Sequence, residues 1–528
     1  MSRSVAYFSM EIGIKPMIKT YSGGLGVLAG DTLKSAADQG LDFTGVTLLY
    51  RGGYFRQELR DGYQHEEYDD WNYEELLEDT GQVIEVEIKG ETVKAKIWKY
   101  SYDGEKSSVD IYFLDTGLEE NSDKSRDFTH QLYDIGNEKR LCQETLLGIG
   151  GYKALKALDL VPDYYHMNEG HSALLTLEAE KECVFTTHTP VAAGHDTFSR
   201  ELAEKVLGER AEELDLENGL HMTELALKNS GFQNAVSEKH RNVSEKMFPE
   251  YKCDAVTNGV HSKSWTSENI QELFDEYCEY WRKDAQRLTQ ASKIPDSELW
   301  DAKKECKSEL AKLVEDKTGK NLDAEKLTIG FARRSTSYKR PTLIFKDIKS
   351  LEKLGEKYSG LQIVFGGKAH PEDEHGKELI QNVLKYQDML ENVDVFFVED
   401  YGMEEALKMV SGCDLWLNNP VRGQEASGTS GMKAAHNGTP QLSVLDGWWL
   451  EGHIEDVTGW SIGEDYVEGE NEDEIDAKSI YRKLDHIISI YENERQEWLN
   501  IMKNTISLSA SYFNTDRMVK EYVTKAYK

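Results

Sequence analysis

The chain has 528 residues, 39% of them hydrophobic, which is too long for one ordinary core and suits two or three globular domains. Its 62 basic and 96 acidic residues leave a formal net charge of −34, which argues against a nucleic-acid backbone or an anionic membrane as the main partner. A site for an anionic ligand must therefore build its own local positive field, so a cluster of Arg and Lys carries weight here.

The first residues, MSRSVAYFSMEIG, enter a strand without the apolar core of a signal peptide, and no stretch is long enough to span a membrane. A soluble, cytoplasmic protein is expected. The six cysteines are scattered singly, as for reduced, buried thiols. After the strand at Val5–Phe8, the segment SGGLGVLAGD (Ser22–Asp31) is a glycine loop opening a helix that continues through Gln39. Such a loop lets backbone amides approach a ligand, but it is not G-x-G-x-x-G and MEIGIKPMIKTY separates it from its strand, which disfavours a nicotinamide dinucleotide. Further strands are expected at Phe43–Leu49, Asp163–Met167, Val184–Thr187 and Ala255–Thr257. Three alternating runs, VIEVEI, VKAKIWKY and VDIYFLD, read as an antiparallel decoration of this first domain. HMNEGH (His166, Glu169, His171) has neither zincin spacing nor one helix face, so no metal is expected. His188 in TTHTP and Asn258 in TNGV follow strands, where fixed polar groups serve either buried hydrogen bonding or a sugar's hydroxyls. The polar stretch Asp284–Lys320 reads as a connector lacking a strongly apolar face.

LTIGFA, LQIVFGG, VDVFFVED, CDLWLN and PQLSVLD in the second half read as the strands of a doubly wound sheet, whose ligands bind beyond the strands' carboxyl ends. The expected division is 1–290, an N-terminal Rossmann-like domain; 291–325, a helical connector; 326–505, a C-terminal Rossmann-like domain; and 506–528, a helix that could close the second domain or pack back on the first. Arg333, Arg334, Lys339 and Arg340 follow the first of these strands, ahead of a helix expected at Thr342–Leu354, and suit an oxyanion. EASGTSGMKAAHNG (Glu425–Gly438) follows the fourth. Its Ser427–Gly431 loop precedes a helical run at Met432–Ala435. Such a stretch serves most often as a plain helix N-cap, but it can also cradle a phosphate. Lys433 beside it can pair with the anion or form a Schiff base with an aldehyde cofactor.

Taken together, YSGGLGVLAGD, RGGYF, THTP, TNGV, ARRSTSYKR, GGKAHP, EASGTSGMK and LDGWW resemble the α-glucan (glycogen and maltodextrin) phosphorylase family, in its short archaeal and bacterial form, from the first strand to the last helix. The resemblance implies an α/β protein of the GT-B fold, two Rossmann-like doubly wound domains facing across a cleft, the first on the glucan and phosphate side and the second holding pyridoxal 5′-phosphate. It implies reversible phosphorolysis of α-1,4-glucan ends (glycogen, starch or maltodextrin) to α-glucose 1-phosphate with retention, the cofactor's phosphate relaying the proton. By the same resemblance Lys433 carries the cofactor, and Arg333, Thr429, Ser430 and Tyr401 bind it. Arg334, Lys339 and His188 are catalytic, Arg334 and Lys339 holding the inorganic phosphate or glucosyl phosphate and His188 lining the glucosyl pocket. Gly24, Leu25, Asn258, Tyr338, Glu425, Ser427 and Gly428 bind substrate. Where the longer enzymes carry Tyr-Arg after the third strand, this chain has Tyr401-Gly402, with Lys408 or Arg422 as candidate substitutes. The regulatory elements of the animal enzymes have no counterpart, so effector control of that type is not expected, and a homodimer is left open. The alternatives are a nucleotide-sugar-dependent glucan synthase of the same fold, for which no base and ribose pocket is seen, and a glucan-binding protein that has lost catalysis.

Overall fold

The computed structural model describes residues 3–133 and 136–528. They form two compact units, neither of them contiguous in sequence: Met1–Phe55 with Tyr68–Thr257 and Met518–Lys528, and Arg56–Glu67 with Asn258–Arg517. The boundary thus falls at Thr257/Asn258, ahead of the expected 290, and 12 residues of the first half belong to the second unit.

The first unit is built on a nine-stranded sheet. Val5–Ser9 lies at its centre, flanked by the parallel strands Phe43–Leu48 and Tyr164–Asn168, and Glu182–Thr186, Phe232–Ala235 and Asp254–Ala255 continue one side in parallel. Every residue of Val5–Ser9 and Tyr164–Asn168 is buried, because a parallel sheet covered on both faces leaves no position for a solvated side chain. The runs expected to be a decoration instead extend this same sheet. Ser108–Asp115 pairs in parallel with Phe43–Leu48, and Glu91–Asp103 and Glu78–Ile88 follow it antiparallel. Their inward alternation (Ile84, Val86, Ile88; Val93, Ala95, Ile97) supplies one face of the core.

Of the helix Thr515–Lys525, residues from Met518 onward pack into this first unit. There the His166 ring bonds the Tyr527 hydroxyl through Nδ1 (2.5 Å) and Thr186 Oγ1 through Nε2 (2.8 Å), and Asn234 Nδ2 donates to the Tyr522 hydroxyl (3.1 Å). Burial pushes His166 down to about 3, so it sits there neutral.

The second unit carries six parallel strands in the spatial order Val393–Val398, Leu361–Gly366, Thr328–Ala332, Leu415–Asn418, Gln441–Val444 and Gly459–Ile462. This third-second-first-fourth-fifth-sixth order places the topological switch between Thr328–Ala332 and Leu415–Asn418, where connections leave to opposite sides and a crevice opens. The last strand, Gly459–Ile462, was not anticipated. The expected helix Thr342–Leu354 forms as a short 3-10 turn at Leu343–Phe345 and a helix at Ile348–Lys357.

The stretch expected to be a connector is the 23-residue helix Asp296–Thr318, and it is not a linker. It buries Leu299, Cys306, Leu310, Leu313 and Val314 in the second unit's core. Its polar appearance comes from two lysines that also point inward: Lys307 Nζ pairs with Asp414 Oδ2 (2.7 Å), and Lys303 Nζ donates to the Ser411 carbonyl (2.6 Å) and the Thr439 hydroxyl. All six cysteines are buried and free of disulfides. No described helix is long and apolar enough to cross a membrane.

Candidate active site

In the second unit the site grows from the switch point. The chain leaves Ala332 into Arg333–Arg340 and leaves Asn418 into Asn419–Thr429, and the two exits are stitched together. Val421 N donates to the Tyr338 carbonyl (2.8 Å), Asn419 Nδ2 to the Arg340 carbonyl (2.7 Å), and Arg340 Nε to the Asn419 carbonyl (2.8 Å). Arg340 is then spent on Asp473 and Asp476, so this member of the basic run is structural.

Arg333 and Lys339 meet on a single acid, Glu425. Arg333 Nη2 and Lys339 Nζ both donate to Glu425 Oε2, the latter at 2.7 Å. Burial alone would raise the Glu425 pKa, but the two cations outweigh it and hold the carboxyl down at about 2. Two charges thus face one, and the buried Arg333 Nη1 has no hydrogen-bond partner among the described residues. Lys339 Nζ also lies 4.4 Å from the Tyr338 ring centre. Arg334, in the same run, is exposed.

Asp446, at the start of the DGWW turn, holds the Glu425 loop in place. Its Oδ2 accepts from the backbone amides of Gly423 (2.8 Å) and Glu425 (3.0 Å), and its Oδ1 from that of Gly447 (3.0 Å). Burial raises it to about 6 despite those bonds, and the neighbouring Glu425 charge adds to the rise. The loop then turns at Gly428, whose φ of +79° lies in the left-handed region that favours glycine. Ser427 is buried and takes Trp448 N on its carbonyl (3.0 Å).

The helix Ser430–Ala435 begins after Thr429, whose side chain makes no cap bond to it. Ser430, expected to face a phosphate, points instead to the protein: its hydroxyl accepts from Trp416 Nε1 (3.0 Å). Lys433 is buried, with Nζ 3.6 Å from the centre of the Trp265 ring. The segment carrying Trp265 is fixed to this helix by Ser262 Oγ on His436 Nε2 (2.9 Å) and by Asn437 Nδ2 on the Trp265 carbonyl (2.7 Å). Asn258 stands on the same side of the unit boundary, buried, with Oδ1 lacking a partner among the described residues. Tyr401 follows Val393–Val398 and packs its ring against Gly366. Arg422 does not replace the arginine expected after Tyr401. Asp476, Glu472 and the carbonyls of Ile462 and Gly463 take up its guanidinium, and Lys408 lies exposed on the helix Met403–Gly412.

In the first unit the glycine loop is partly spoken for. The amides of Ser22 and Gly23 donate to the buried Glu11 carboxylate, which also accepts from the Tyr133 hydroxyl (2.9 Å). Gly24 and Leu25 open the helix Gly24–Gln39 itself, so theirs are the first-turn amides that a helix cannot pair internally. His188 follows Glu182–Thr186. Its backbone amide donates to Glu169 Oε2 (2.7 Å), and its Nε2 lies 2.6 Å from Asn168 Oδ1. Asn168 spends its own NH₂ group on Ser9 Oγ (3.0 Å), so Asn168 Oδ1 accepts and His188 Nε2 carries the proton. Burial pushes His188 down to about 3, leaving a neutral ring whose Nδ1 is an acceptor. His166, Glu169 and His171 are engaged by different partners, His171 by Asp196 (3.4 Å). Among the described residues no group of three or more His, Cys, Asp or Glu is arranged to hold a metal ion.

A family model described as carbohydrate phosphorylase matches residues 20–110 and 191–478. Maltodextrin phosphorylase of Thermococcus litoralis is 40% identical, aligning over 99% of this chain and 70% of that protein. Glycogen phosphorylase of Aquifex aeolicus is 34% identical over 99% of this chain and 86% of its own length, and an uncharacterized protein of Methanocaldococcus jannaschii is 34% identical over the whole of both chains. With that breadth of match on an α/β fold whose basic strand-end cluster lies at the switch point, the chain belongs to the carbohydrate phosphorylase family.

Proposed function

We propose that the chain is an α-glucan phosphorylase that cleaves α-1,4-linked chain ends with inorganic phosphate and releases α-glucose 1-phosphate with retention. The observation that carries this reading is the charge imbalance at Glu425. In a chain of net charge −34, two buried cations share one carboxylate, and Arg333 Nη1 is left for an anion. The relatives named maltodextrin and glycogen phosphorylase support it.

The residues present also fit pyridoxal phosphate. Lys433 offers a buried amine beside an aromatic face, and Arg333 offers an unmatched donor for a phosphate oxygen. Lys433 would hold the cofactor covalently through its amine, with Arg333, Thr429 and Tyr401 toward its phosphate. When bound, the cofactor supplies a phosphate group able to hold and return a proton.

Arg334 and Lys339 hold the substrate phosphate and offset the repulsion between two anions. The phosphate hands its proton to the departing glycosidic oxygen, the bond from that oxygen to the anomeric carbon breaks, and a phosphate oxygen bonds that carbon on the same face. Glu425, ionised well below neutrality, and Asn258 Oδ1 accept from sugar hydroxyls. Within the first unit, the neutral His188 ring offers Nδ1 as an acceptor of the same kind.

The test is incubation with maltodextrin and inorganic phosphate, with glucose 1-phosphate as the readout. Release of glucose 1-phosphate that falls by about a hundredfold or more in Arg334→Ala supports the reading. Chain extension that needs a nucleotide sugar would overturn it in favour of a synthase. Borohydride reduction should fix a pyridoxyl group on Lys433, and an unmodified Lys433 peptide from folded protein would remove the cofactor.

A further inference from the structure

The segment Arg56–Glu67 comes from the first half of the chain, yet it belongs to the second unit as an antiparallel hairpin of Arg56–Arg60 with Tyr63–Glu67. Its outward side is a lattice of Arg56, Glu58, Arg60 and Glu67, as expected of a solvated ribbon. Its inward side carries two glutamines, Gln57 and Gln64, each only 1% exposed, beside Leu59, which packs on the second unit's core, and Glu66, which pairs with Lys377. We propose that Gln57 and Gln64 are positioning residues for the anion site of the second unit, setting the backbone that carries Arg333 and Tyr401. This rests on the phosphorylase reading of that site.

The geometry runs through two short segments. Gln57 Nε2 donates to the Gly367 carbonyl (3.0 Å) and to Gln64 Oε1 (2.8 Å). Gln64 Nε2 donates to the Ala369 carbonyl (3.0 Å), and Gln64 Oε1 accepts from Ala369 N (2.9 Å). The loop Gly367–Ala369 is thereby held on both its donors and its acceptors. It in turn holds the basic run: Arg333 N donates to the Gly366 carbonyl (3.1 Å) and Ser335 N to the Lys368 carbonyl (2.9 Å). Gly367 has φ +133°, and a Cβ there would collide with the Arg333 carbonyl, so the two backbones run in direct contact.

The second segment is Glu399–Tyr401. Gln57 grips Asp400 from both sides, its Oε1 accepting from Asp400 N (2.9 Å) and its own N donating to Asp400 Oδ1 (3.0 Å), while Leu59 N donates to Glu399 Oε2 (3.1 Å). Asp400 Oδ1 also pairs with Lys368 Nζ (2.6 Å), which ties the two segments to each other. Tyr401 is the next residue, its ring against Gly366.

An amide side chain suits this place. It offers a donor to a carbonyl and an acceptor to an N–H at once, without bringing a charge into a buried place. Leucine at either position leaves buried carbonyls and amides without partners, and the loop must shift to find water. A shift below Arg333 moves its guanidinium away from the anion it is placed to meet.

The experiment compares the full-length holo-protein with Gln57→Leu and Gln64→Leu, and with Lys303→Met as a control. Lys303→Met loosens the same unit through its bonds to Ser411 and Thr439, neither of which bonds the hairpin. Three quantities are read: release of pyridoxal phosphate, followed by its absorbance on dilution; KM for inorganic phosphate; and KM for maltodextrin. Expected for both leucine variants are cofactor release and phosphate KM each raised about tenfold, with the maltodextrin KM within about twofold of wild type. Lys303→Met should lower the melting temperature and leave all three near wild type. If the leucine variants only melt earlier, as the control does, the glutamines merely stabilise and the proposal falls. Gln57→Asn keeps the amide one methylene short, so it folds more readily and carries the same prediction at smaller amplitude. Wild-type protein that takes up no pyridoxal phosphate and releases no glucose 1-phosphate overturns the functional reading itself, and the proposal with it.

Discussion

Glu425 carries a full negative charge at neutral pH, pressed between Arg333 and Lys339, so glutamine at this position strands two buried cations. Glu425→Gln should lose about 3 kcal/mol of stability, and millimolar inorganic phosphate should restore part of it by supplying the missing anion. Melting curves with and without phosphate check this; a variant whose melting point ignores phosphate would mean that the cations do not form an anion site. Asp446 behaves in the opposite sense. Its folded pKa of about 6 lies above the ordinary 3.8, so its contribution is full below the ordinary value and is lost as pH rises through about 6. Wild type should therefore give up about 3 kcal/mol across that window relative to Asp446→Asn; parallel stability curves for the two proteins would contradict it. Glu425, Lys433 and the basic run are legible in the sequence because a strand exit followed by cations or a glycine-hydroxyl loop is a local pattern. Asp446 is not, since the two amides that give its Oδ2 a purpose belong to Gly423 and Glu425, some 20 residues upstream. Only its place in LDGWW, just past a strand, was a signal.

The helix Asp296–Thr318 shows how a buried element can look exposed. Its inward lysines dilute the apolar stripe, and their partners, Asp414 and the carbonyl of Ser411, lie about 100 positions away, where no periodicity can find them. Asp414 accepts both Lys307 Nζ (2.7 Å) and Thr328 N (2.9 Å), tying this helix to the first strand of the sheet. Asp414→Ala should cost about 3–5 kcal/mol by leaving Lys307 buried without its counter-charge. Urea titration reads this, and a loss within the error of a surface substitution would show that water replaces the carboxylate. The strands of the second sheet were legible for the converse reason. Five of the six are short runs, mostly apolar and bounded by polar exits, and that composition has few other uses in a chain of this charge. The hairpin Arg56–Glu67 was not, because its alternation is polar on the outward face and its inward face has a single aliphatic residue, Leu59, beside Gln57, Gln64 and Glu66.

At the scale of the molecule, two ledgers of charge matter. A net charge of −34 repels itself, so the melting temperature should rise between low salt and about 0.5 M sodium chloride as the Debye length shrinks; a flat or falling response would place the excess carboxylates too far apart to matter. The other ledger is the buried histidines of the first unit. Burial lowers His166, His171 and His188 to about 3 and His195 and His240 to about 4, against an ordinary 6.5. Each stabilises while neutral, so their contribution is present above 6.5 and drains away as pH falls toward 3. In the second unit His436 is the one histidine shown lowered in this way among the described residues. Hydrogen exchange at pH 4 should therefore find the first unit opening before the second, and the reverse order would refute the assignment. The division of the chain between the units has a consequence for synthesis. Tyr522 and Tyr527, which complete the hydrogen bonds of His166, Thr186 and Asn234, leave the ribosome only after the second unit has been made through Arg517. The hairpin at Arg56–Glu67 must likewise wait for Gly367, Ala369 and Asp400 to emerge. Neither half can complete these bonds as it is translated, so the nascent first sheet stays unsealed through most of elongation.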